Sequence, residues 1–349
     1  MSSSRTRCQR AGASRPAVRE PPWRSPGLTV AQHADYLALV DAEIRPPHAT
    51  TRPWDDFPLA LGLDNLPWML GAVDGEGRLA GGLSVLVRPF ATGCGEIAVG
   101  VVGSVVTRPD CRGQGLSSRL QAAAVAMLRR QEVPLAALWT DQPEIYAGRG
   151  FMPAGWEWHA GLETATLPPP PPPVVIRDWE PADAPATAAL YADHLWRTVR
   201  RPGDAGRLYG MPGTRGLVAV AAGQVRAAVF CGKGADFPDY VTEWSGELGL
   251  VLALLGRACE RGWASTVLVP SCGTALLAQL EAAGSAPVAL PSACWAVTRP
   301  DLLRRKLAAA GGVAPASDSD ARAWLGGVNV DGTVEPGPLG IAVWGFDSA

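Results

Sequence analysis

The chain has 349 residues, a formal net charge of −2, 47% hydrophobic residues and only 18% charged ones. At roughly 150 residues per domain this length predicts two domains, each apolar enough to build its own core. A charge so near zero gives no field to draw nucleic acid or an anionic membrane. The 40 glycines and 32 prolines suit short elements joined by turns, not a coiled coil or a disordered chain.

In chain order, Met1 to Pro26 is rich in Ser, Arg and Pro and has no apolar stretch, so it does not read as a secretory signal. Pro16, Pro21 and Pro22 argue against the amphipathic helix of a transit peptide; residues 1–27 are expected to be a disordered leader, or a start codon miscalled upstream. Thr29 to Ile44 predicts a helix capped by Thr29, with Val30, Leu37, Val40 and Ile44 on its apolar face and Pro46 and Pro47 ending it. Trp68 to Val73 and Leu79 to Val87 predict a hairpin across Asp74-Gly75-Glu76-Gly77. Ile97 to Thr107 is a further strand, with Gly100 and Gly103 as bulge candidates. A helix from Leu116 to about Gln131 buries Leu116, Leu120, Ala124, Met127 and Leu128. A strand at Leu135 to Thr140, a helix at Pro143 to Gly148 and a strand from Phe151 follow.

Six consecutive prolines, Pro168 to Pro173, predict a stiff spacer, with a proline-motif ligand as the alternative. Beyond it the order repeats. A hairpin (Leu217 to Ala221, Val225 to Phe230) precedes a strand at Tyr240 to Trp244 and a helix over Glu247 to Arg261. A strand at Thr266 to Val269, a helix over Gly273 to Ala283 and strands near Val288 and Trp295 complete it. The order β-β-β-α-β-α-β therefore occurs twice, which predicts an internal duplication. The expected units are 28–164, a linker 165–174, 175–300, and a C-terminal helix and docking strand over 301–349, in which Leu339, Ile341 and Val343 alternate.

The seven cysteines are scattered, with no CxxC pair, and the four histidines show no HxxxH or HExxH spacing. Neither a disulfide framework nor a metal site is expected. Reduced, buried thiols fit a cytoplasmic protein. No apolar run reaches the roughly 18 residues of a membrane helix.

The stretch Val105 to Ser117 runs strand, Gly-rich turn, helix, with Arg112-Gly113-Gln114-Gly115 at the turn. Successive backbone N–H groups at a helix N-terminus make a cradle for a pyrophosphate, and glycines permit the dihedrals it needs. The Walker motif is excluded because no Lys follows Gly115. The dinucleotide fingerprint is excluded because Ser118 stands where the third glycine belongs. Taken alone, such a turn also serves plain structural ends, and Tyr146 alone reads equally as a packed helix tyrosine.

Together these residues resemble the GNAT (GCN5-related N-acetyltransferase) superfamily. Arg112-x-x-Gly115-x-Ser117 resembles its motif A, with Ser in place of the usual Gly or Ala. Ile145 to Phe151, in which Tyr146 precedes Gly150-Phe151 by four positions, resembles motif B. The resemblance covers roughly residues 28–163. It implies a tandem α/β GNAT fold, mixed sheets flanked by helices, acting on acetyl-CoA. Main-chain groups of Val105, Val106 and Thr107 would pair with the pantetheine arm. Arg112, Gly113, Gln114, Gly115, Leu116, Ser117 and Ser118 would surround the pyrophosphate, the N–H groups from Gly113 onward holding it. Tyr146 would protonate the leaving thiolate, and the Val106 N–H would hold the oxyanion. The acceptor would be a small-molecule amine or a peptide, and no metal is implied. The likeness to Eis-type tandem enzymes, whose terminal carboxylate is the base, makes the Ala349 carboxylate or Asp347 a candidate beside Glu96. Cys111 has no base to activate it and is read as an inert thiol.

In the second half Ser245-Gly246-Glu247 replaces the cradle and Leu280 aligns with Tyr146, so this half is expected to be degenerate and structural. Asp193, His194, Trp196 and Arg197, on its expected first helix, are either acceptor contacts or a solvated face. A non-catalytic acyl-CoA-binding sensor is the alternative to an enzyme.

Overall fold

A computed structural model describes residues 27–45 and 49–347. The expected leader up to Pro26, the prolines 46 and 47 and the Ala349 carboxylate lie outside the described residues. Helix α1 (Val30–Ile44) starts as its sequence dictates. The Thr29 hydroxyl accepts from the Gln32 N–H at 3.3 Å, and Gln32 Oε1 accepts from the Thr29 N–H at 3.0 Å. Single-turn helices α2 (Pro53–Asp56) and α3 (Pro58–Leu61) follow, each opened by a proline. Then come the hairpin β1 (Met69–Val73) and β2 (Leu79–Thr92), β3 (Gly95–Thr107), α4 (Leu116–Arg130), β4 (Leu135–Leu138), α5 (Glu144–Ala147), β5 (Met152–Ala154) and β6 (Glu157–Gly161).

After the proline run come β7 (Val175–Asp178), α6 (Ala184–Ala192), β8 (Arg197–Thr198) and α7 (Asp204–Tyr209), of which the sequence showed only a first helix. The repeat follows: β9 (Arg215–Ala221), β10 (Gln224–Lys233), β11 (Asp236–Gly246), α8 (Leu248–Glu260), β12 (Thr266–Pro270), α9 (Thr274–Ala282), β13 (Val288–Leu290) and β14 (Ala293–Val297). The chain closes with α10 (Pro300–Ala309), α11 (Ala321–Leu325) and a two-stranded ribbon of β15 (Gly326–Val328) and β16 (Val334–Pro336).

Two mixed sheets form, and they are built alike. In the first, β1, β2 and β3 are antiparallel and β4 joins β3 in parallel. In the second, β9, β10, β11 and β12 repeat that pattern. The sheets do not divide at the proline run, however. Strand β14 lies between β4 and β5 of the first sheet, and β6 lies between β12 and β13 of the second. Only Gly155 and Trp156 link β5 to β6, and only Pro291 and Ser292 link β13 to β14, so each connection steps directly from one sheet to the other. Units 28–164 and 175–300 thus follow the chain, whereas the sheets share strands across it.

Residues 337–347, the expected docking strand, form no strand. Leu339, Ile341, Ala342, Val343, Trp344 and Phe346 are all buried, not alternately, because the segment runs between apolar surfaces on both sides. Phe346 packs edge-on to Tyr209 and Phe230, and Trp344 packs against Trp244 and His194.

Gly100 is not a bulge. A Cβ there would lie 2.5 Å from Leu128 Cδ2 on the fully buried face of α4. Gly100→Ala is expected to destabilise the protein by about 1–3 kcal/mol through overpacking. An unchanged urea midpoint would show that α4 can yield.

Candidate active site

The bulge falls at Ser104 and Val105. Gly103 pairs with Ser84 and Val106 with Gly82, leaving Ser104 and Val105 together opposite Leu83 and outside the ladder. Ser104 takes a φ of +50°, and its carbonyl accepts the Tyr36 hydroxyl of α1 at 2.8 Å. Val106 is back in register, and the Arg108 N–H donates to Ala80 O at 2.9 Å. Since ladder bonding alternates along antiparallel strands, Val106 turns its N–H toward β2. The N–H freed from the ladder is that of Val105, one residue before the expected oxyanion donor. The Val106 side chain sits in the α1 core, away from the cavity.

Strands β3 and β4 pair only from Val99–Leu135 to Val101–Ala137 and then separate. A cavity of about 590 Å³ opens beyond the split. Val102 to Val105 line one side of it and Leu138 to Asp141 the other. Ligands of open parallel sheets bind at this position, beyond the carboxyl ends of the strands. Tyr146 also lines the cavity. Its ring packs edge-on to Phe151 with centroids 6.5 Å apart, and its hydroxyl has no hydrogen-bond partner among the described residues. Burial raises its pKa above the usual tyrosine value; the Arg149 charge opposes this, and Cys294 and Asp141 reinforce it. The phenol therefore keeps its proton at neutral pH.

The turn before α4 has the backbone that its glycines permit: Gly113 has φ +74° and Gly115 φ +73°. No side chain caps α4, so the N–H groups of Leu116, Ser117 and Ser118 face outward with the dipole of a 15-residue helix behind them. These groups fit a pyrophosphate. A Cβ at Gly115 would meet nothing within 4 Å, so the glycine serves dihedral freedom and not crowding. Arg112 Nε donates to Thr107 O at 3.3 Å and its guanidinium pairs with Glu43, which leaves its charge partly spent. Gln114 is exposed. One cation escaped the sequence reading: Arg149, three residues after Tyr146, hydrogen-bonds Ser118 Oγ in the first turn of α4. Cys111 is buried, its thiol pKa raised by that burial, as befits an inert group.

The candidate bases do not gather here. Glu96 stands at the opposite end of β3, against α10. Asp347 is buried among Arg200 (3.5 Å), Tyr191 Oη (3.3 Å) and the Trp344 N–H (3.3 Å), outside the cavity. Helix α6 ends at Ala192, so Asp193 to Arg197 are not a helix face. His194 Nε2 donates to Trp244 O at 2.9 Å and its ring packs tilted against Trp344, and Arg197 lies in β8 beside β2. The far wall of the cavity comes from Ile44, Arg45 and Phe57, and from Asp236 and Phe237 at the start of β11. No local pattern marks these residues. Trp139 to Asp141 had one usable signal, their place just beyond a strand parallel to β3.

In the second half, Glu247 stands at the N-cap position of α8, makes no side-chain cap bond and pairs with Arg226, so a carboxylate stands where the first half has Gly115. Leu280 is buried in the core. Among the described residues, no group of His, Cys, Asp or Glu is arranged for a metal, and no helix is long and apolar enough to cross a membrane.

Splayed parallel strands, a bulged neighbour and a glycine-opened helix together define an acyltransferase fold. Residues 32–154 match the family model described as an acetyltransferase (GNAT) domain. The match to a GNAT domain thus falls on the half of the chain that holds this cavity, and the two sheets share one strand order, as a tandem arrangement would. Solved structures agree in fold. A GCN5-related N-acetyltransferase from Kribbella flavida is 17% identical, covering 79% of this chain and 71% of that one at a TM-score of 0.57. One from Anabaena variabilis is 13% identical, covering 79% and 73% at 0.59. Eis1 from Mycobacterium abscessus is 16% identical, covering 82% and 75% at 0.56. No curated protein matches the chain.

Proposed function

We propose that the protein moves an acetyl group from acetyl-CoA to a primary amine in a ternary complex. The observation that carries this reading is that Tyr146 and the released Ser104–Val105 backbone face one cavity. Bound at the start of α4, acetyl-CoA supplies its acetyl group as a thioester. The Val105 N–H would hold the carbonyl oxygen as charge builds on it. The cavity walls would hold the neutral amine against the carbonyl carbon, turning a bimolecular attack into an effectively unimolecular one. As the C–N bond forms and the C–S bond breaks, Tyr146 gives its proton to sulfur and is reprotonated by the proton that the new amide nitrogen sheds. The products are the amide and free CoA.

Labelled acetyl-CoA incubated with an amine library, followed by mass spectrometry, tests the reading directly. Binding without acetylation of any amine would make the protein an acyl-CoA-binding module instead. The cradle has its own test. Gly115→Glu imposes a side chain at φ +73° and sets a carboxylate before the pyrophosphate. Acetyl-CoA affinity is expected to fall below detection in calorimetry, while Gly115→Asn, which tolerates this backbone, loses far less. Unchanged affinity in the folded Glu variant would remove the cradle from the start of α4.

A further inference from the structure

We infer that the acceptor is an amphipathic monoamine, its ammonium drawn to Asp141 and its apolar body laid against Phe57 and Phe237. This rests on the acetyltransferase reading of the same cavity.

The charges of the cavity wall decide the first half of the inference. Arg45 is nine-tenths buried, is paired with Asp56, and reaches Asp236 at 3.3 Å. Lys233, also buried, lies over the Phe57 ring at 4.8 Å. Two cations thus stand with two carboxylates, and that cluster is neutral as a whole. Asp141 is different. It is exposed at the mouth, and no Lys, Arg or His pairs with it among the described residues. It is near enough to Tyr146 for its charge to disfavour the tyrosinate. Arg149, the opposing charge at that tyrosine, lies outside the lining and is turned to Ser118. Among the residues lining the cavity, Asp141 is therefore the one carboxylate without a cation partner, beside Tyr146. A single ammonium balances it; a polycation would find no second free carboxylate among the residues lining the cavity.

The rings decide the second half. Phe57 and Phe237 are only half-buried. Phe237 takes φ +51°, a backbone that a bulky residue adopts only at a cost, and its ring meets Tyr240 edge-on at 5.6 Å. The turn just before it is tied to the first half, with the Ala235 N–H donating to Asp56 at 3.3 Å. Strain kept in order to present an apolar ring to a cavity fits an apolar ligand. An acceptor covered in hydroxyls would leave those hydroxyls unpaired against these rings.

Binding is measured by ligand-observed NMR with 2-phenylethylammonium, ethylammonium and spermidine, so the readout does not depend on turnover. Phenylethylammonium is expected to bind at least about 10-fold more tightly than ethylammonium, the worth of burying a ring. Asp141→Asn, a surface change, should weaken phenylethylammonium about 10-fold. Phe237→Ala should erase the preference over ethylammonium, and Phe237→Leu should keep part of it. Tighter binding of spermidine, or an Asp141→Asn variant that binds phenylethylammonium as wild type does, would overturn the inference. Failure of acetyl-CoA to bind would sink the acetyltransferase reading and leave these amine affinities standing as a separate result.

Discussion

Tyr146→Phe is expected to lower turnover roughly 10²–10⁴-fold while leaving acetyl-CoA affinity nearly unchanged, the usual worth of a positioned general acid. The substitution keeps the ring and its edge-on contact with Phe151, and the hydroxyl it removes bonds no described protein group, so little stability is at stake. The pH dependence follows in sign. Burial lifts this phenol above its ordinary value of 10.0, so the acid form persists through the neutral range and beyond. Turnover in the wild type should rise with pH as the acceptor amine loses its proton, with no fall before about pH 10. Steady-state kinetics on both proteins, after thermal melts confirm that both fold, give the answer. A Phe variant with wild-type turnover would return Tyr146 to a packing role and leave water to protonate the thiolate.

The largest loss of stability is expected from Arg200→Met, about 3–5 kcal/mol. Arg200 lies in the interior between the halves. It forks onto Glu243, reaches Tyr209 Oη at 3.1 Å and Asp347 at 3.5 Å, and lies 3.7 Å above the Tyr191 ring. Glu243 and Asp347 are both buried, so removing the cation strands two carboxylates in a medium that cannot solvate them. Burial already raises the pKa of Glu243, with Arg200 opposing it, and losing Arg200 should raise it further. Urea unfolding measures the loss. The double variant Arg200→Met with Glu243→Leu should recover a good part of it, because exchanging a buried pair for apolar groups is close to neutral. A single variant as stable as wild type would mean that water reaches this network.

Local chemistry was legible in the chain. Thr29 and Gln32 cap α1 reciprocally because both lie within one turn. Gly113 and Gly115 take positive φ where a glycine-rich turn precedes a helix. Asp74 to Gly77 turns a hairpin, and Tyr146 stands at its spacing from Gly150-Phe151. Each depends on residues a few positions apart, where sterics and short hydrogen bonds fix the backbone. The repeated element order needed no more than that.

Contacts between distant segments were decided elsewhere. The bulge chose Ser104 and Val105 over the nearby glycines because Tyr36, on another element, takes up the Ser104 carbonyl, while Gly100 was needed beneath Leu128. The exchange of β6 and β14, the burial of Asp347 beside Arg200, and the wall of Arg45, Phe57, Asp236 and Phe237 join residues from 45 to 347. No periodicity encodes such meetings, because sheet pairing and core burial are chosen by total surface removed from water, which only the assembled chain defines. The sequence by itself determined the repeated element order and the glycine turn at the start of α4. Tertiary structure alone decided which groups line the cavity, since its far wall joins Ile44, Arg45 and Phe57 to Asp236 and Phe237 from the other half of the chain.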